Sequence, residues 1–232
     1  IINKSNIMGF YRGPNIVTNG LVFAVDAGSA RSYPGSGTTV TDLISSNTGT
    51  LTNGVGFSTS NAGTWVFDGV DDYINIPNYT AHQSTTGTIE AWVKPDILTG
   101  NRYAFGAGGT TTVGATRALR IVGGNWSIVG YGSGSTSGQD WNDIANATTN
   151  WQHVAIAWNG TTYYFYLNGV RSSNTRTGIV TPTGSLLRIG CPPFATNSNT
   201  DGQIAALKCY SNVLTEAQML QNFNAQKSRF GL

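Results

Sequence analysis

Apolar and polar residues alternate from Trp151 to Val170 (WQHVAIAWNGTTYYFYLNGV), interrupted at Asn159-Gly160 and Asn168-Gly169. A period of two sends successive side chains to opposite faces of a strand. Asn-Gly between such runs is a strong hairpin signal, because a type I′ turn needs φ > 0 at both central residues. The stretch predicts an antiparallel meander of three strands. A turn at Asn159-Gly160 pairs Trp158 with Thr161, Ile156 with Tyr163 and Val154 with Phe165, and these residues share the predicted core face with Leu167. The other face carries His153, Ala155, Ala157, Tyr164 and Tyr166. It is either an aromatic platform of the kind sugars stack on or a surface covered by another sheet or by the N-terminal arm.

Short runs with turn signals between them continue along the chain. Strands are predicted at Leu21 to Val25, near Val40 to Ile44 and Thr50 to Leu51, and at Thr64 to Phe67, Tyr73 to Ile76, Thr88 to Lys94, Tyr103 to Gly106, Ala118 to Val122 and Ser127 to Tyr131. Two more lie beside the cysteines, in LLRIG and IAALKCY. Many short strands argue for a sandwich or jelly roll. Residues 1–19 read as an arm with no sustained period, ending in a Phe10-Tyr11-Arg12 cluster and Gly13-Pro14, and residues 20–232 as one domain. One helix is predicted, near 215–226. Thr215-Glu216-Ala217-Gln218 is a capping box, Leu214 and Met219 occupy the staple positions, and Leu220 and Phe223 continue the apolar stripe. The tail after Lys227 is expected to dock through Phe230.

Composition narrows the function classes. Charged residues make up 10% of the chain and the net charge is +2, too sparse for the basic footprint of a nucleic-acid binder. No apolar run approaches the roughly 20 residues that span a bilayer, so no membrane insertion is expected, and no secretory signal opens the chain. Because the first residue is Ile1, the chain is expected to be a fragment, a processed product or the ordered part of something longer. The 30 glycines and abundant Ser, Thr and Asn resemble extracellular β modules and virion proteins. Five Asn-x-Ser/Thr sequons, at Asn3, Asn78, Asn125, Asn146 and Asn159, carry no weight without a secretory signal. If the strands beside Cys191 and Cys209 form a hairpin, Cys209 falls opposite about residue 183. At roughly 3.4 Å per residue the gap far exceeds the Cα separation of about 4.4–6.8 Å that a disulfide tolerates. Two free thiols are predicted.

Several blocks together resemble the laminin-G-like branch of the concanavalin A-like lectin/glucanase superfamily. They are Phe67-Asp68-Gly69-Val70-Asp71-Asp72-Tyr73-Ile74, Thr88-Ile89-Glu90-Ala91-Trp92-Val93, the Trp151 meander, Leu187-Arg188-Ile189-Gly190, and the closing Gly202 to Leu207 and Tyr210 to Thr215. The resemblance implies an all-β fold, a concanavalin A-like jelly-roll sandwich of two curved antiparallel sheets with one C-terminal helix. More narrowly, YRGPNIVTNGLVFAVDAGSARSYPGSGTT and LQNFNAQKSRFGL look like versions of this domain carried by structural proteins of tailed bacteriophages.

The superfamily includes glycoside hydrolases, whose carboxyl pairs stand about 5–5.5 Å apart in retaining enzymes and about 6.5–9.5 Å in inverting ones. The family's hydrolases carry theirs on one strand as Glu-x-Asp-x-x-Glu, a pattern this chain lacks. Its only glutamates are Glu90, alone in its strand, and Glu216, in the helix cap, and its close carboxylates are Asp68, Asp71 and Asp72 in the predicted turn. His82 and His153 are the only histidines, no Gly-x-Ser-x-Gly elbow is present, and no Cys/His spacing makes a zinc site. No catalytic residue is assigned. The resemblance implies calcium as the one candidate cofactor, since laminin-G-like domains often hold such an ion at a sheet rim. Asp26, Asp71, Asp72 and Asp201 are its candidate ligands, the alternative being that they cap turns through backbone amides.

Sugar recognition needs a flat aromatic ring beside groups that fix hydroxyls. The Gly-rich span 101–150 offers Trp141, Asn142, Asp143, Tyr131 and Arg102, with Trp126 assigned to the core. The resulting expectation is a non-enzymatic module on the surface of a virion or otherwise extracellular, acting in head decoration, a fibre or a tail. Its partners would be other virion proteins and a cell-surface glycan, and self-association into a homo-oligomer stays open. The alternatives are a purely structural protein that reinforces a capsid, and a glycoside hydrolase.

Overall fold

A computed structural model describes residues 14–45, 47–110, 116–130, 139–178, 181–195 and 198–232, without the side chains of 139–143. Sixteen strands follow in chain order: β1 Leu21–Asp26, β2 Thr39–Thr41, β3 Thr48–Thr52, β4 Gly56–Ser58, β5 Thr64–Asp68, β6 Tyr73–Pro77, β7 Thr86–Pro95 and β8 Asn101–Gly108. The rest are β9 Thr116–Val122, β10 Asn125–Gly130, β11 Gln139–Asn146, β12 Gln152–Asn159, β13 Thr162–Leu167, β14 Val170–Thr177, β15 Leu186–Ile189 and β16 Asp201–Tyr210. They form two antiparallel eight-stranded sheets. Sheet A runs β14-β13-β12-β7-β16-β5-β4, with β1 also pairing with β16, and sheet B runs β11-β10-β9-β8-β15-β6-β3-β2. One helix, α1 (Glu216–Gln226), follows β16. It is too short to cross a membrane, and no described helix is long and apolar enough to do so.

The inner faces supply the core. Trp65, Phe67, Ile89, Val154, Ile156, Trp158, Tyr163 and Phe165 of sheet A meet Ile74, Ile76, Phe105, Leu119, Trp126, Ile128, Leu187 and Ile189 of sheet B. Burying a large apolar side chain contributes about 1.5–3 kcal/mol, so this interface dominates the stability of the fold. Trp126 is in the core as expected, its indole N–H donating to Gln152 Oε1 at 3.1 Å.

The meander is present, and the predicted faces hold, but the first hairpin is displaced. Asn159 pairs with Thr162, Ile156 with Phe165 and Val154 with Leu167, so the connecting residues are Gly160 and Thr161. Only Gly160 has positive φ, at 58°, which matches the glycine-first requirement of a type II′ turn. Each partner moves by two residues, which preserves the period-two faces. The second turn is as predicted, with positive φ at both Asn168 and Gly169.

Three other expectations are corrected. Residues 139–146, where no strand is predicted, form strand β11 at the edge of sheet B. The predicted strand near Val40 to Ile44 is only Thr39–Thr41. The strands beside the cysteines are not a hairpin, because β15 pairs with β6 and β8 in sheet B while β16 lies in sheet A. Both thiols are nevertheless free and buried. Burial raises the Cys191 thiol to about 11, with Arg188 opposing, and raises Cys209 further still.

The helix starts as its sequence requires. The Thr215 hydroxyl accepts from the Gln218 amide at 3.2 Å, and the Gln218 side chain accepts from the Thr215 amide at 2.9 Å. Leu214 and Met219 are fully buried, whereas Leu220 is 44% exposed and leaves the apolar stripe. Phe230 docks by stacking on Trp92, with ring centroids 4.2 Å apart.

Candidate functional site

A two-sheet sandwich has two outer faces, and here the terminal segments close one of them. On sheet A, Ala155, Ala157, Tyr166 and Tyr210 are buried with Val17, Leu214 and Met219, so the helix and residues 14–19 cover the tyrosines that could have formed a platform. Further along, Trp92, Trp151, Ala205 and Phe230 pack together, and Phe223 stacks on Trp92 at 5.7 Å. Residues 1–13, with the Phe10-Tyr11-Arg12 cluster, lie outside the described residues.

Beneath the helix sits a buried polar knot. Glu90 Oε1 accepts from Lys208 Nζ at 3.1 Å, Glu90 Oε2 accepts from Asn222 Nδ2 at 2.9 Å, and His153 Nε2 stands 3.4 Å from Oε2. Burial opposes ionisation of Glu90, but Lys208, His153 and Asn222 outweigh it and hold the carboxyl at about 2. The only glutamate within the sheets is thus buried, ionised and committed to structure. Glu216 pairs with Arg171 at 3.3 Å on the surface.

The other outer face, on sheet B, is more open. Ile74 and Ile76 turn inward, so Tyr73 and Asn75 face outward, and Leu187 and Ile189 do the same for Arg188. The Arg188 guanidinium lies 4.6 Å from the Tyr73 ring centre, and it donates to Asn75 Oδ1 at 3.4 Å and to the carbonyls of Pro192 and Ala195 at 3.3 and 3.2 Å. Tyr103 and Phe194 meet edge to face at 6.2 Å over Ala118 and Val129. A Cβ on Gly106 would come within 2.6 Å of Pro193 Cδ, so glycine lets the loop carrying Phe194 lie against the sheet. Half-exposed Tyr73, Asn75, Arg188 and Phe194 thus set aromatic rings among amide and guanidinium groups.

One corner adjoins this face. The turn from β5 to β6 passes from sheet A to sheet B, and the segment entering β16 returns from B to A. Carboxylate oxygens of Asp68, Asp71 and Asp72 lie within 4.8 Å of one another. Asp68 Oδ1 accepts from the Val70 and Asp71 amides at 2.8 and 3.4 Å, and Asp72 Oδ2 accepts from the Asp68 amide at 3.1 Å. Asp72 is 3% exposed; burial, with the Asp68 and Asp71 charges, raises its carboxyl above the usual value against the pull of the Asp68 amide. Asn199 Nδ2 donates to the Asp72 carbonyl at 3.0 Å.

The residues expected to bind sugar are not all brought together. Trp141, Asn142 and Asp143 lie in edge strand β11, where Trp141 pairs with Ile128. Tyr131 lies outside the described residues. Arg102 opens β8, three strands away in the sheet order, and donates to the carbonyls of Gly69, Asn199 and Thr99 at 2.9, 3.2 and 3.3 Å, clasping the aspartate corner. Of the expected calcium ligands, Asp71 and Asp72 are in this corner, and Asp201 borders it, with Oδ2 2.9 Å from where a Gly69 Cβ would stand. Asp26 is elsewhere, held by Arg229 Nη1 at 2.8 and 3.0 Å. Sequence reasoning missed Tyr73, Asn75 and Arg188 as surface groups, although the alternation of β6 and β15 places all three outside.

A sequence model described as concanavalin A-like lectin/glucanases superfamily matches residues 68–219. Comparison with curated protein sequences returns no significant match. Among solved structures, domain 4 of AbnA, a GH43 extracellular arabinanase from Geobacillus stearothermophilus, in complex with arabinotriose, is 19% identical, with a TM-score of 0.67 over 88% of this chain and 98% of that one. The binding domain of botulinum neurotoxin serotype D is 14% identical, with a TM-score of 0.67 over 89% of this chain and 52% of that one. Trypanosoma rangeli sialidase is 18% identical, with a TM-score of 0.66 over 92% of this chain, which spans about a third (34%) of that enzyme. At these identities the likeness is one of fold. With the sequence match covering well over half of its length, the chain belongs to the concanavalin A-like lectin/glucanase superfamily.

Proposed function

We propose that the protein is a non-catalytic carbohydrate-binding module that uses the outer face of sheet B and its β11 edge. The observation that carries this reading is the asymmetry of the sandwich. Sheet A is closed by α1 and the tail, whereas sheet B presents Tyr73, Asn75 and Arg188 together. Tyr73 offers a flat ring, and the guanidinium and amide offer donors and an acceptor for hydroxyls. The arabinotriose held by the domain of similar fold makes that trisaccharide the first probe. A surface-displayed, extracellular setting suits such a module. The narrower setting, a phage head, fibre or tail, is supported by the phrasing of residues 11–39 and 220–232.

Calorimetric titration with arabinotriose, extended on a glycan array, tests the proposal. Tyr73→Ala and Trp141→Ala should weaken binding by about ten-fold or more, or roughly 1.4 kcal/mol, with little change in melting temperature. A loss with Tyr73→Ala alone puts the sugar on the sheet, and a loss with Trp141→Ala alone puts it on the edge strand. Binding unchanged in both, or no glycan bound at all, overturns the proposal.

Hydrolysis is the competing reading, because Asp68, Asp71 and Asp72 lie close enough together for a carboxylate pair. One oxygen of Asp68 and one of Asp72 are engaged with amides of their own turn, at a corner where the chain changes sheets. Cleavage of arabinotriose that is abolished by Asp72→Asn would establish the hydrolase and displace the binding module.

A further inference from the structure

The polar knot beneath α1 brings an amine, a carboxylate and an amide together. Lys208 and Glu90 are direct cross-strand partners on β16 and β7, and Asn222 reaches down from α1 to the same carboxylate. The amine takes one oxygen of Glu90 at 3.1 Å and the amide takes the other at 2.9 Å. All three side chains are buried. Stability alone is a weak account of such an arrangement, because apolar groups of similar volume often serve as well as a buried ion pair.

The contacts of Asn222 are those that acyl transfer to an amine requires. Attack on its Cγ pushes charge onto Oδ1, which already accepts from the Val17 backbone amide at 2.7 Å, a donor suited to an oxyanion. The departing nitrogen, Nδ2, lies on Glu90 Oε2 and also donates to the Tyr210 hydroxyl at 2.9 Å. Glu90 thus touches both the nucleophile and the leaving group, where one carboxyl can act as base and then as acid. Val17, Leu214 and Met219 roof the knot and keep out water, the competing nucleophile. Gln226, one turn further along α1, also accepts from Lys208, at 2.6 Å, but no acid is held against its amide nitrogen among the described residues.

We infer that Lys208 and Asn222 join in an intramolecular isopeptide bond, formed by the protein itself with Glu90 as proton carrier. Lys208 gives a proton to Glu90 Oε1, and its neutral Nζ attacks Asn222 Cγ. The Nζ–Cγ bond forms, the Cγ–Nδ2 bond breaks, and Glu90 passes its proton to Nδ2, which leaves as ammonia. Nζ sheds a second proton through Glu90 to His153 Nε2, 3.4 Å from Oε2, so Glu90 keeps a cationic partner. Nothing is oxidised or reduced, and no other reactant enters. Because the event happens once per molecule, the weak basicity of Glu90 slows it without preventing it. Holding amine and amide on one carboxylate supplies the proximity. The ionic knot is the state before closure, and the bond ties α1 to sheet A.

Mass spectrometry of the whole chain, denatured after prolonged storage in the folded state, tests this. Its mass should fall one ammonia short of the mass its sequence gives. Asn-Gly sites such as Asn159-Gly160 can also lose ammonia as a cyclic imide, so digestion locates the bond. Trypsin should fail to cut after Lys208, and a protease that cuts after Glu216 should leave the peptides carrying Lys208 and Asn222 joined. Glu90→Gln, Lys208→Arg and Asn222→Ala should each show the full mass of their own sequence. Should these variants fail to fold, the mass and digests of the parent chain decide. A parent chain at full mass, with the two peptides separate, overturns the inference. So does a cross-link that survives Asn222→Ala, which would place it on Gln226.

Discussion

Glu90→Ala should destabilise the protein by about 3–5 kcal/mol in denaturant unfolding, among the largest losses expected from any single substitution. Lys208 would remain 5% exposed beneath α1 without its carboxylate, and breaking a buried pair from one side costs that much because a charge is stranded. Asn222 and His153 would lose their partner together. Glu90→Gln should cost less, since an amide oxygen still accepts from Asn222. The double variant Glu90→Leu with Lys208→Met should recover much of the stability, because a buried ion pair replaced by apolar groups of similar volume is often neutral. A double variant no better than Glu90→Ala would show that the knot serves more than charge balance.

Acid should unfold the protein in two stages that belong to different residues. His82 is fully buried against Tyr79, with rings stacked 5.4 Å apart. Burial and the nearby Arg117 charge lower it from 6.5 to about 4. The unfolded chain therefore binds this proton first, and stability falls as pH drops from about 6.5 to about 4, by roughly 3 kcal/mol at 1.36 kcal/mol per pKa unit. Glu90 is also lowered, from 4.5 to about 2, so its contribution is intact above about 4.5 and is lost between there and about 2. His82→Phe, which keeps an aromatic ring on Tyr79, should flatten the upper stage and leave the lower one. An unchanged pH profile for His82→Phe would mean that another group sets the upper limb.

Local chemistry was the most legible part of the sequence. The capping box at Thr215 and Gln218 formed as written, because all its partners lie within four residues. Face assignment in the meander survived a displaced turn, because pairing moved by two residues and a strand repeats every two. Strand β11 was missed because Gln139-Asp140-Trp141-Asn142-Asp143 is polar and the strand pairs on one side only, as sheet edges do. Strands β15 and β16 do not meet the condition of a hairpin, because closeness in sequence says little about pairing when the chain changes sheets. The aspartates of the corner were individually visible. Asn199 was not, since it reaches Asp72 across 127 residues and carries no local signature.

Both described ends of the chain are moored to the same side of the molecule. Asn15 and Val17 are bonded to Gln221 and Asn222 of α1, and Leu232 is 48% exposed just beyond the docked Phe230. A tether, fusion partner or solid support joined at residue 232 would therefore hold the domain by its back. The Tyr73 and Arg188 surface would point outward, toward whatever the molecule meets, with no linker in its way.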